Sequence, residues 1–85
     1  VHFMAIRGSN WEVVGIRIPP DAAVVGQILW DVPIPDDSLI SFILKKDGTL
    51  LVPDSKAVLG SEDEVVVITT EEGEEALREA LTGVA

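Results

Sequence analysis

His2 is the only histidine in the chain, and a hydrolytic triad needs a nucleophile, a base and a group that orients the base. It stands at the end of the chain, where backbone frays, so it is a poor general base and we assign it no site. Carboxylates pair at Asp36-Asp37 and cluster at Glu62, Asp63 and Glu64. Oxygen-rich loops bind calcium when six or more ligands converge. Neither run has the spacing of an EF-hand, so both are expected to be solvated acidic loops, and no metal ligands are assigned. Glu71, Glu72, Glu74 and Glu75 suit the first turn of a helix, where negative charge is favoured. The seven glycines lie too far apart for a dinucleotide fingerprint or a phosphate-binding loop. Without cysteine there is neither a disulfide framework nor a thiolate zinc site. No nucleophile stands with a base, so no catalytic residue is assigned and the segment is read as non-enzymatic.

Any binding site must then be built by the elements that the pattern encodes. Val1 to Asn10 forms a lead-in segment, and residues 11–85 form the folded domain. Trp11 to Ile18 alternates with the period of a strand, Val14, Ile16 and Ile18 on one side and Trp11, Val13, Gly15 and Arg17 on the other. Asp21 is placed to cap a helix whose Ala22, Val25, Ile28, Leu29 and Val32 recur along one face, with Gly26 marking close packing. Pro33 and Pro35 stop it. Ser38–Lys46 and Thr49–Val52 flank Asp47-Gly48, a pair favoured where both turn positions need positive φ, which predicts a hairpin. Residues 54–64 read as a surface loop. Val65 to Ile68 are uninterrupted β-branched residues, as in a central strand covered on both faces. Thr69 and Glu72 have capping-box spacing for a last helix running to about Leu81, with Glu74 able to pair with Arg78. The expectation is a single small α+β domain in the order β-α-β-β-β-α, with one mainly antiparallel sheet and helices packed on it. Trp11 and Trp30 are open between the core and an interface.

Composition sets the class of partner. Fifteen acidic against six basic residues give a net charge of −9, and such a field repels phosphate backbones and anionic lipid. Nucleic acid is not an expected partner. No apolar run approaches the roughly 20 residues that span a bilayer, so no direct membrane insertion is expected. With 47% apolar residues the chain can bury a core. It begins with Val1, and we expect it to be a piece of a longer polypeptide.

From Gly26-Gln27-Ile28-Leu29, through Ile34-Pro35 and Asp37, to Leu39–Lys45, Asp47-Gly48, Leu51-Val52-Pro53 and Asp63–Ile68, the chain resembles the TrkA C-terminal domain. This family is also called the RCK C-terminal domain. Two departures stand out: Glu62 replaces the glycine that usually precedes the aspartate, and Lys45 stands where arginine is frequent, without arginine's planar fork. The resemblance implies a cytoplasmic regulatory domain, peripheral to the inner face of the cell membrane. It implies a homodimer that acts on a potassium transporter or channel subunit through a nucleotide-binding domain absent from this segment. No cofactor is expected within the segment, and cyclic di-AMP or another small ligand is the implied effector. By similarity the ligand cleft lies at the dimer interface, with Ile40 and Phe42 as apolar walls, Lys45 as a phosphate contact and Pro53 at its edge. The competing expectations are a regulatory domain of another ion carrier or antiporter, and a free-standing metabolite sensor with element order β-α-β-β-α-β. An enzyme fragment with its catalytic residues elsewhere carries the least weight.

Overall fold

Val65 to Ile68 lie in the middle strand of a five-stranded antiparallel sheet, as their unbroken β-branched character predicts, but the core covers only one face of that strand and not both. The computed structural model describes residues 2–84. Its strands are β1 (His2–Ala5), β2 (Trp11–Arg17), β3 (Ser38–Leu44), β4 (Leu50–Leu51) and β5 (Glu64–Thr70), arranged β1-β2-β5-β3-β4. Among the described residues a single α-helix, α1 (Glu71–Thr82), follows β5 directly. The α+β class and the mainly antiparallel sheet are as expected. The β-α-β-β-α-β order of a metabolite sensor is not what the chain forms.

The element order differs from the expected β-α-β-β-β-α in two places. Residues 2–5, assigned to a lead-in segment, form an edge strand on β2. Residues 21–32 do not form an α-helix; they make successive turns and a short 3-10 helix, Leu29–Asp31. Tertiary pairing overrides the helical periodicity here. Gly26 N–H donates to the Leu59 carbonyl (2.8 Å), Leu59 N–H to that of Gln27 (2.9 Å) and Leu29 N–H to that of Ala57 (2.8 Å). Backbone groups that a helix would use internally are thus spent on residues 57–59. Ala22, Val24, Leu29 and Val32 are still buried, so the segment covers the sheet as a helix would have done.

Gly26 also acts differently from expectation. A Cβ there would meet nothing within 4 Å, but its φ is +87°, so the residue is needed for a left-handed turn and not for close approach. Gly26→Ala is expected to cost about 1 kcal/mol, which a urea unfolding midpoint would register. In the hairpin only Gly48 has positive φ. Its N–H donates to the Lys45 carbonyl (2.9 Å) while Lys45 N–H donates to that of Thr49 (2.8 Å). The turn therefore passes through Lys46 and Asp47 before one left-handed glycine, a three-residue loop in place of the two-residue kind. Hydrogen bonds from Thr49 hold the Asp47 carboxyl below its usual range.

Val14, Ile16, Ile43, Val65 and Val67 from one face of the sheet meet Leu77 and Leu81 of α1, Leu29, Ala57 and Leu59 in the core. The helix cap falls one residue later than expected. Thr70 Oγ1 accepts from Gly73 N–H (3.0 Å) and donates to Asp37 Oδ2 (2.6 Å), while Thr69 Oγ1 is bonded to Ser38 Oγ (2.8 Å). Asp37, expected in a solvated loop, instead ties the start of β3 to the start of α1. Glu74 pairs with Arg78 at 2.9 Å, as its spacing predicts.

Candidate functional site

One face of the sheet carries the core; the other carries apolar side chains open to solvent. Register decides the membership. Val66 pairs with Phe42 and Gly15, Ile68 with Leu39 and Val13, and Leu44 with Leu50, so these residues stand on the face opposite Val65 and Val67. Leu39 is 63% exposed and Met4, opposite Val13 on β1, 60%. The Phe3 ring lies over Gly15, where a Cβ would approach it to 2.7 Å. Phe3, Val13, Phe42, Leu44, Glu64 and Val66 line a groove of 420 Å³ on this face.

β3 does not hold a strict period of two. Ile40 pairs with Val67 and Phe42 with Val66, leaving Ser41 as an extra residue in a β-bulge. Ile40 therefore packs against the core while Phe42 faces the groove. Alternation places residues 40 and 42 on one face; the bulge puts them on opposite faces, and they do not wall one cleft within a single copy.

Lys45 is committed to a partner. Its Nζ forms an ion pair with the Asp63 carboxylate and donates to the Val58 carbonyl at 3.2 Å. Asp63 is 1% exposed, contrary to its expected place in a solvated loop. Its Oδ2 also accepts from Gly60 N–H (2.7 Å) and its Oδ1 from Lys46 N–H (3.3 Å). The preceding Glu62 has φ 69°, the one left-handed residue other than glycine among those described. That conformation explains why glycine suits the position and why its replacement by glutamate is a departure with a backbone cost.

Beside the groove lies a recess of 330 Å³ lined by Arg17, Leu44, Lys45, Lys46, Gly48, Glu62 and Glu64. Leu44 and Glu64 line both, so an apolar floor runs into a rim carrying three cations and the carboxylates of Glu62 and Glu64, with Lys45 paired to Asp63. Pro53 is half-buried and lines neither. Arg17, Leu44, Val13 and Val66 were not among the expected ligand residues. The alternation of β2, which places Val13 and Arg17 on one side, was the available signal for two of them. Trp30 is 59% exposed and Trp11 is exposed at the end of β2, so neither belongs to the core.

Residues 13–82 match the family described as the TrkA-C domain. The chain belongs to that family. A similar solved structure is one described as "Structure of RCK domain with cda", at 19% identity and a TM-score of 0.70, covering 81% of this chain and 96% of that one. The two share a fold. No curated protein matches. TrkA-C domains are in general regulatory parts of potassium-transport systems. In this TrkA-C domain, no helix among the described residues is long and apolar enough to cross a membrane.

Proposed function

We propose that this TrkA-C domain is a regulatory, ligand-sensing and dimerising module of a potassium (cation) uptake system or channel, acting at the cytoplasmic side of the membrane. The observation that carries this reading is the apolar groove of Phe42, Leu44 and Val66 running into the recess of Arg17, Lys45 and Lys46. A flat ring has apolar surface to lie on there, and an anionic group has Arg17 and Lys46 beside it, set among Glu62 and Glu64, within a domain whose net charge of −9 otherwise repels anions. Cyclic di-AMP has both features, and the similar structure is described as an RCK domain with cda. Of the four residues first proposed as ligand contacts, Phe42 and Lys45 border this cleft directly. Ile40 supports it from behind the sheet and Pro53 lies beyond β4.

A second copy would cover the open face, burying Leu39, Leu50 and the groove residues, and a ligand held between the copies would favour one dimer arrangement over another. Equal affinity for both arrangements would transmit nothing to a transporter.

The test has two readings. Light scattering should give twice the chain mass of 9.1 kDa, and Phe42→Asp should give the monomer at the same concentration. A strictly monomeric wild type up to millimolar concentration would overturn dimerisation through this face. Titration with cyclic di-AMP, ATP and AMP should raise the melting temperature for the cyclic dinucleotide, by about 2.7 kcal/mol of stability at 100 times its dissociation constant. A dimer with no shift from any of them would overturn the effector assignment and leave dimerisation as the role.

A further inference from the structure

The only histidine of the sequence lies in a cluster that its position in the chain gave no reason to expect. His2 on β1, Glu12 on β2 and Glu74 on α1 each present one donor atom, and these atoms all lie within 4.8 Å of one another. His2 Nε2 is 2.6 Å from Glu74 Oε1 and 3.5 Å from Glu12 Oε1. We propose that His2, Glu12 and Glu74 form a binding site for a divalent first-row transition metal, with Zn²⁺ the representative ion, that clamps β1 to α1. The site lies on the helix-covered side of the sheet, away from the open apolar face, and goes beyond the proposed regulatory function.

Three features support a metal. Glu12 Oε1 is itself shut away from solvent without a hydrogen bond of its own, although the side chain is partly exposed and shares a hydrogen bond with Glu74, and an unsatisfied oxygen costs free energy until something binds it. Arg78 Nη2 holds Glu74 Oε2 at 2.9 Å, which leaves Oε1 turned toward His2, as outer partners orient the carboxylates that bind metals. Donors around a tetrahedral zinc with bonds near 2.0–2.2 Å stand roughly 3.4 Å apart; His2 Nε2 and Glu12 Oε1 are 3.5 Å apart, whereas His2 Nε2 and Glu74 Oε1, at 2.6 Å, share a hydrogen bond that the metal would replace. The imidazole is exposed and can close the difference by a small swing of its ring. One imidazole with two carboxylates suits zinc and its neighbours better than calcium or magnesium, which prefer all-oxygen sets. Three protein ligands leave further coordination positions to water.

His2 and Glu12 both precede the stretch that matches the family, residues 13–82. The clamp is therefore a property of this chain's own entry into the domain, and it would fasten whatever precedes β2 to the helix.

Zn²⁺ titration of the metal-free full chain by calorimetry should show one saturable site, with Mg²⁺ and Ca²⁺ giving far weaker heats. His2→Gln and Glu12→Gln should each weaken Zn²⁺ binding by roughly tenfold or more, while Glu72→Gln, an exposed acid on the same helix turn, should leave it unchanged. At 100 times its dissociation constant Zn²⁺ should raise the melting temperature by roughly 10 °C, and Co²⁺ should give the visible bands of a low-coordinate site. Absence of a one-to-one site would overturn the proposal. So would a loss in His2→Gln with none in Glu12→Gln, since the imidazole would then be binding without the Glu12 carboxylate.

Discussion

Asp63→Ala is expected to lower stability by about 3 kcal/mol, the range in which a buried ion pair loses one partner, and to shift the melting temperature down by roughly 12 °C or more. The magnitude follows from what the carboxylate satisfies at once. It pairs with Lys45, accepts the N–H groups of Gly60 and Lys46, and is itself buried. Its backbone carbonyl takes Ile18 N–H at 2.8 Å, so the residue joins the end of β2, the hairpin and the strand-like stretch at 58–60. Alanine leaves two amide groups without their acceptor and the Lys45 ammonium with only the Val58 carbonyl. Asp63→Asn keeps the shape and one acceptor oxygen and should lose less, whereas Lys45→Met should cost a comparable amount to the alanine, because it leaves a buried carboxylate without its counter-charge. If Asp63→Ala unfolds with a denaturant midpoint within error of wild type, the network is not what orders the hairpin. The same variant should disturb the proposed effector cleft, since Lys45 and Lys46 on its rim are held by this carboxylate.

Gly73→Ala, a substitution that helix propensity alone would favour by about 1 kcal/mol, is expected instead to destabilise by about 2 kcal/mol net. Gly73 is buried in the first turn of α1, and a Cβ there would stand 2.6 Å from Thr69 Oγ1 and 2.7 Å from Asp37 Oδ1. Neither atom is free to retreat. Thr69 is bonded to Ser38 and Asp37, and Asp37 to Thr70. Accommodating the methyl means breaking part of that set or moving the helix away from β3, an overpacking cost of the usual 1–3 kcal/mol added to a lost hydrogen bond. Chemical denaturation of Gly73→Ala beside Glu72→Ala measures it: the neighbour should be near neutral, and an equally neutral Gly73→Ala would mean that the contact is loose.

The carboxyl groups of the His2 cluster titrate apart. Burial works to raise Glu74, but hydrogen bonds from Arg78, His2 and Glu12 outweigh it and hold the group at about 2. Glu12 is raised, first by its hydrogen bond with Glu74 and then by burial. Two acids side by side cannot both ionise cheaply, and the structure divides their roles by giving Arg78 to only one of them.

Much of this protein is legible from its sequence. The hairpin, the Glu74–Arg78 pair and the terminal helix follow from interactions among residues at most four apart, which act before any tertiary contact forms, and the central strand is marked by its unbroken β-branched run. Composition likewise shows that the chain has enough apolar residues to bury a core. The family could be read from the order of these same pieces.

What only the tertiary structure decided rests on long-range pairing. Residues 21–32 have helical periodicity, yet residues 57–59 take their backbone hydrogen bonds and Gly26 turns left-handed. The bulge at Ser41 is set by the register against β5 and sends Ile40 and Phe42 to opposite faces. Asp63 is a surface acid by its neighbours and a buried one by its contacts with Lys45 and Gly60. His2 and Glu74 are 72 residues apart in the chain and 2.6 Å apart in space. Spacing along the sequence carries no trace of such a meeting, because it is the pairing of β1 with β2 and the packing of α1 across the sheet that bring the two side chains together.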